Sequence, residues 1–246
     1  MDMLAHLKPH ALVHLHIGSI DMSISGHVLW MWISSCVIFF LFMFGIKRGG
    51  GLIPKGIYNL LEGLIVFINE QLVIPNFGRE EGKKWFPFVC TLFLFILFNN
   101  LLGLIPGSST ATSNINVTGT LAFIVFLSVQ GIGIKKHGLF TYLKGWVPGG
   151  LPIFIAIPMF PLELIGQLAK PFSLAIRLFA NMFAGHAVLL VFLNLILMSK
   201  AYFVWVFPLS GSLMVAVLEV GFSAIQAFIF TILSSMYIGE AIHPSH

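Results

Sequence analysis

The chain has 246 residues, of which 58% are hydrophobic and only 9% charged, with 13 basic and 9 acidic side chains and a mean hydropathy of +0.98. A soluble domain carries about a quarter charged residues, so these charges are too few to coat a globule of this size. A soluble enzyme is all but excluded, and a polytopic membrane protein is the default reading. The net charge of +4 does not point to nucleic acid, because Lys and Arg fall in short groups between apolar runs, which is a topology pattern rather than a basic stripe.

Taken in chain order, residues 1–26 form an N-terminal segment with His6, His10, His14 and His16, and with His27 nearby, but no signal-peptide core, so the first span is expected to insert uncleaved. A surface metal site on His6, His10 and His14 is a minor alternative to a wet, weakly charged outer segment. The first span is 27–46, uncharged, and stops at Lys47, Arg48 and the triplet Gly49-Gly50-Gly51. Positive charge marks the cytoplasmic or matrix side, which puts the N-terminus in the opposite compartment. The triplet is not a phosphate loop, since no Gly-Lys-Ser/Thr follows it.

The run Ile57 to Ile74 is apolar but carries Glu62, Asn69 and Glu70, and lies between Lys55 and Arg79, Lys83 and Lys84. A crossing with positive charge at both ends violates the orientation rule. Region 55–77 is therefore read as an amphipathic helix in the interface, with a tilted sixth span as the alternative. Residues 85–134 form a helical hairpin: Trp85 to Ile105 crosses outward, Pro106 to Asn116 is a charge-free outer loop, and Val117 to Ile134 returns to Lys135, Lys136 and Lys144. Cys36 and Cys90 sit inside apolar runs as small core residues.

Residues 150–240 differ in kind. Leu151 to Met198 is apolar for more than twice the roughly 20 residues that cross a bilayer upright, so it is either a hairpin without a turn or one long, steeply tilted helix. Val204 to Ile238 has the same excess length. The expected fold is thus an all-α membrane protein of about five crossing helices plus one interfacial amphipathic helix, the last two helices long and steeply tilted.

The polar residues of those two helices carry the chemistry. Glu163, Lys170, Ser173, Arg177 and Asn181 are separated by seven, three, four and four residues, which on a helix turning about 100° per residue places them on one stripe. Such a stripe lines a water path or faces a partner; a satisfied polar seam between helices is the plainer alternative for Ser173 and Asn181. Arg177 lies deep in the run, an insertion costing about 2.5–3.5 kcal/mol, and it cannot shed its proton. His186 follows Arg177 by nine residues, about half a turn around the axis. Glu219 and Gln226 share a face of the last helix, about 10 Å apart along it. A Glu–His pair can pass protons near neutral pH or simply brace two helices. These helices show no metal-ligand spacing, and neither a metal nor a cofactor is expected.

The run Ser173-Leu174-Ala175-Ile176-Arg177-Leu178-Phe179-Ala180-Asn181-Met182-Phe183-Ala184-Gly185-His186 closely resembles the signature of subunit a of F-type ATP synthases. That signature reads approximately Ser-Leu-x-x-Arg-Leu-Phe-x-Asn-Met-x-x-Gly. The stretch from Glu219 through Gln226-Ala227-Phe228-Ile229-Phe230 resembles the family's last helix, and Asn99-Asn100-Leu101-Leu102-Gly103-Leu104-Ile105-Pro106 the end of its third. The resemblance implies a non-catalytic stator subunit beside a rotating ring of small hairpin proton-binding subunits, with peripheral-stalk and other ATP synthase subunits, lipid and protons as partners and no nucleic acid. Arg177 matches the essential arginine that separates two aqueous half-channels. Asn181, His186, Glu219 and Gln226 match positions of the half-channel reached from the proton-rich side; Glu163 and Ser173 match the opposite one. The pairing of His186 with Glu219 looks like the mitochondrial and alphaproteobacterial arrangement, so either a bacterial or a mitochondrial inner membrane fits, with the C-terminus on the cytoplasmic or matrix side. The rival reading is a self-contained secondary transporter or channel with a buried Arg in an anion site. A purely structural anchor does not explain Arg177.

Overall fold

Apolar runs without backbone partners can cross hydrocarbon only as helices, and that is how the chain folds. In the computed structural model, residues 11–13, 16–17, 20–21, 24–47, 56–105, 108, 110–145, 153–198 and 205–243 are described. His6, His10 and His14, Arg48, the glycine triplet and Lys55 lie outside them. Two short antiparallel strand pairs precede the helices, Ala11–Val13 with Ile24–Ser25 and His16–Ile17 with Ile20–Asp21. Then follow α1 (Gly26–Lys47), α2 (Ile57–Ile68), a π-helical turn (Asn69–Val73), α3 (Ile74–Gly103), a 3₁₀ turn (Ala111–Ser113), α4 (Ile115–His137), α5 (Leu139–Gly145), α6 (Ile153–Met198) and α7 (Val206–Ile242). Among the described residues, five helical segments are long and apolar enough to cross a membrane: Gly26–Met43, Asn59–Gly103, Ile115–His137, Pro158–Met198 and Val206–Ile242. Apart from the two short strand pairs, the helical fold class and the number of spans agree with the sequence reading.

The segment from α2 into α3 is one helical run bent at Gly78, whose φ of 73° and ψ of 179° lie outside the helical region. That backbone favours glycine, and the bend turns the chain back on itself. Phe67 reaches both Phe93 of α3 and Phe228 of α7. The run before the bend is amphipathic: Leu61, Ile68, Leu72, Val73 and Phe77 are buried while Glu62, Glu70 and Gln71 are exposed. At the start of α4, the Asn114 side chain accepts from the Asn116 N–H at 3.0 Å, a standard helix cap. Lys135, Lys136 and His137 fill its last turn, where cations suit the helix dipole.

The choice left open for residues 151–198 resolves into a single helix of 46 residues, about 69 Å long at 1.5 Å per residue. Pro158, Pro161 and Pro171 lie inside it. Each removes one backbone donor, a loss that neighbouring groups absorb in membrane helices. α7, with 37 residues, is about 55 Å long. Both exceed the roughly 30 Å of bilayer hydrocarbon.

α7 packs against α3, α4 and α6 along a face of small and polar residues: Ser223, Ala227, Thr231, Ser234, Ser235 and Gly239 are all buried. The Thr231 and Ser234 hydroxyls donate to the carbonyls of Ala227 and Phe230, at 2.8 and 2.7 Å. Small residues let helices approach closely in an apolar setting, and hydroxyls bonded to their own backbone leave no polar debt. Around this face Ile96 of α3, Val125 of α4, Leu178 of α6 and Phe230 of α7 form the core.

Candidate functional site

α6 and α7 run antiparallel. Lys170 meets Glu240 at 3.1 Å, Gly185 meets Glu219, and Phe192 meets Gly211. Arg177 lies between the first two of these contacts, about 10 Å along the helix from Lys170 and about 14 Å from His186. It is exposed in the isolated chain, and among the described residues no carboxylate pairs with it. Its surroundings on the surface are apolar, with Phe172 and Ile176 exposed on α6. A guanidinium without an anion on an apolar membrane helix is a costly arrangement, unless another chain supplies the counter-charge.

Half a turn away, as the nine-residue spacing requires, His186 faces inward. Its Nδ1 lies 4.0 Å from Glu219 Oε1, and its Nε2 contacts the Thr110 hydroxyl. Glu219 is 3% exposed. The approach is possible only because position 185 lacks a side chain: a Cβ there would lie 2.6 Å from Glu219 Cδ. Neither Glu219 oxygen has a hydrogen-bond partner among the described residues, and the same holds for Ser223 Oγ and Gln226 Nε2. Three successive turns of α7 thus carry buried polar atoms with unused hydrogen-bonding capacity.

A second set of contacts ties this region together. Asn100 Nδ2 donates to the Ser223 carbonyl at 3.3 Å while its Oδ1 accepts from the Thr112 hydroxyl at 2.7 Å. The Thr110 hydroxyl donates to the Gly103 carbonyl at 3.2 Å, and His27 Nδ1 donates to the Thr110 carbonyl at 2.9 Å. Asn181 is half-buried, between Arg177 and His186.

The other polar residues sit toward the lysine-bearing end. Glu163 accepts from Gln167 Nε2 at 2.9 Å, one turn along the same helix. Ser173 is exposed beside Arg177. Lys170, besides its ion pair, lies 4.9 Å from the Tyr237 ring centre. The stripe read from the spacing therefore splits. Ser173 and Arg177 point outward, whereas Glu163, Lys170 and Asn181 lie half-buried along its flank.

A sequence profile of the family described as ATP synthase A chain matches residues 28–239. The chain belongs to the ATP synthase subunit a family. It is 43% identical to ATP synthase subunit a of Magnetococcus marinus across 99% of this chain and 93% of that one. It is 41% identical to that of Chloroherpeton thalassium across 97% and 74%, and 39% identical to that of Paramagnetospirillum magneticum across 96% of both. As a member of the ATP synthase subunit a family it is a multi-pass membrane protein and one component of an ATP synthase complex. That membership sets aside the self-contained transporter. Sequence reasoning missed the contacts of Thr110, Asn100 and His27. Asn99-Asn100 was visible as a polar pair ending an apolar helix, but nothing in the spacing links Thr110 to His186, 76 residues on.

Proposed function

We propose that the chain is the proton-translocating stator of its ATP synthase, offering two offset half-channels to a rotating ring of small hairpin subunits. The observation that carries this is Arg177: a permanent charge, without a carboxylate partner among the described residues and exposed on an apolar helix surface, with separate polar groups on either side along the same helix. A ring carboxylate can pass through lipid when protonated but not cheaply when ionised. Beside Arg177 its ionised form is favoured, so there it releases its proton toward Glu163 and Ser173. Beyond Arg177 it is reprotonated through the Glu219–His186 side of the path, which Asn181 and Gln226 line. The guanidinium also repels protons, which keeps the two paths from joining.

The unpartnered atoms of Glu219, Ser223 and Gln226 support this reading, because a file of water satisfies such atoms and conducts protons. The roles are positional and electrostatic, and the bond-making of ATP synthesis is left to other subunits. In this arrangement α6 and α7 lie steeply tilted so that their length fits the bilayer. The amphipathic run in region 55–77 lies at the inner interface. The N-terminus is on the outer side and the C-terminus on the cytoplasmic or matrix side of an energy-transducing inner membrane, as the lysines direct. Peripheral-stalk subunits hold the stator still.

Arg177→Ala in the intact complex is expected to let protons leak passively through the membrane while coupled ATP synthesis is lost. ATP synthesis at normal yield by that variant, measured in energised vesicles, would overturn the assignment.

A further inference from the structure

His186 and Glu219 are held by more than each other. One residue of the α3–α4 loop, Thr110, contacts His186 with its hydroxyl and His27 with its carbonyl. It is buried, as is His27. The loop is fitted closely here, for a Cβ at position 103 would collide with the Thr110 side chain. The Ser113 hydroxyl adds a further donor to the Thr110 carbonyl at 2.7 Å.

The hydrogen inventory of these groups is restrictive. A carbonyl only accepts, so His27 Nδ1 carries a proton. The Thr110 hydroxyl has one proton and two lone pairs. Its proton has a place on the Gly103 carbonyl at 3.2 Å, beside the Ser108 hydroxyl, which donates to the same carbonyl at 2.8 Å. With the proton there, the Thr110 oxygen accepts from His186 and the neutral ring of His186 carries its proton on Nε2. The free lone pair is then on Nδ1, the atom that lies 4.0 Å from Glu219 Oε1. One water molecule or a small rotation closes that separation.

We propose that Thr110, braced by His27, is a positioning residue of the outer proton path: its hydroxyl fixes His186 in the Nε2–H form and aims the basic Nδ1 at Glu219. The step it prepares is balanced. The O–H bond of a protonated Glu219 breaks and an N–H bond forms on Nδ1, giving a carboxylate and an imidazolium, and the reverse step restores both neutral groups. With the other tautomer the Nδ1–H and the Glu219 O–H, both donors, would face each other and no proton could pass from Glu219 to Nδ1. The proposal rests on the reading that His186 and Glu219 carry protons.

The test is ATP-driven proton pumping by the intact complex in inverted vesicles, with ¹⁵N NMR of labelled histidine reporting the tautomer of His186. Thr110→Val keeps the shape and removes the hydroxyl. It is expected to cut pumping about three- to tenfold, the worth of one hydrogen bond, and to remove the Nε2–H signature. Thr110→Ser should recover most of both. His27→Leu should slow pumping about two- to threefold, while His27→Asn, which keeps a donor near the Nδ1 position, should recover it. If Thr110→Val pumps at the wild-type rate while Glu219→Gln is slow, the positioning role is overturned and the relay stands. If Glu219→Gln is also at the wild-type rate, the relay itself fails. Should Thr110→Val not assemble, the His27 variants decide: equal loss in Leu and Asn, or loss in neither, overturns the proposal.

Discussion

The polar groups on the two sides of Arg177 are built differently. Toward the α3–α4 loop, His27, Asn100, Thr110, His186, Glu219 and Ser223 come from four helices and the loop itself and are joined across long sequence distances, with Glu219 almost wholly buried. Toward the lysine-bearing end, Glu163 is held by a residue of its own helix, and the cross-helix polar contacts are those of exposed or partly exposed lysines, Lys170 with Glu240 and the Tyr237 ring and Lys136 with Glu81. The first group is preorganised within this chain and tolerates little displacement. The second is left partly open at the surface of this chain. A path that must hold a carboxylate and an imidazole in one fixed relation is best built inside a single chain. A path that only has to admit water can be left to an interface.

Several changes would break or sharpen that contrast. The largest effect is expected where the buried group has no spare room. Gly185→Ala drives a methyl group onto the Glu219 carboxylate, an overpacking that costs about 1–3 kcal/mol, and should reduce ATP-driven pumping more than tenfold. At Gly166 of the same helix a Cβ meets nothing within 4 Å, so Gly166→Ala should change pumping less than twofold. Equal effects at the two glycines would erase the distinction.

Next comes the exchange of each acid for its amide. Glu219→Gln removes the only carboxylate of the buried group and should slow proton flow about tenfold without loss of assembly. Glu163→Gln, at a half-buried site that water can reach, should slow it about threefold. A reversed order, read as initial rates in the same vesicles, would place the stricter requirement at the other end. The smallest effect is expected from Lys170→Gln. Exposed ion pairs contribute about 0–1 kcal/mol, so the thermal midpoint of the purified complex should fall by no more than a few degrees.

Much of this molecule was legible in the sequence, for reasons that have clear limits. Span number followed from apolar run length and from the lysines between runs, because hydrocarbon thickness leaves little choice. The half-turn between Arg177 and His186 followed from helical geometry, and the structure places one outward and the other inward. Sequence alone left residues 151–198 as either a hairpin or one helix, since three prolines in an apolar run fit both. It did not show the bend at Gly78, because a single glycine in an amphipathic pattern has many uses. Thr110 was out of reach for a different reason. A loop has no period, and the partners of Thr110 are 83 residues before it and 76 residues after it, a pairing that exists only once the bundle has closed.

The bend at Gly78 also has a bearing on biogenesis. It lays the amphipathic run along the slot that α7 will occupy, with the backbone of Asn76 against Gly239, whose Cβ would lie 2.6 Å from the Asn76 carbonyl oxygen. A chain emerging in order thus prepares a berth from α2, α3 and α4 long before its last helix is made. Until α7 arrives, Ile68, Leu72, Val73 and Phe77 have an incomplete apolar cover. A polypeptide halted before residue 206 would be an unfinished bundle with an open flank.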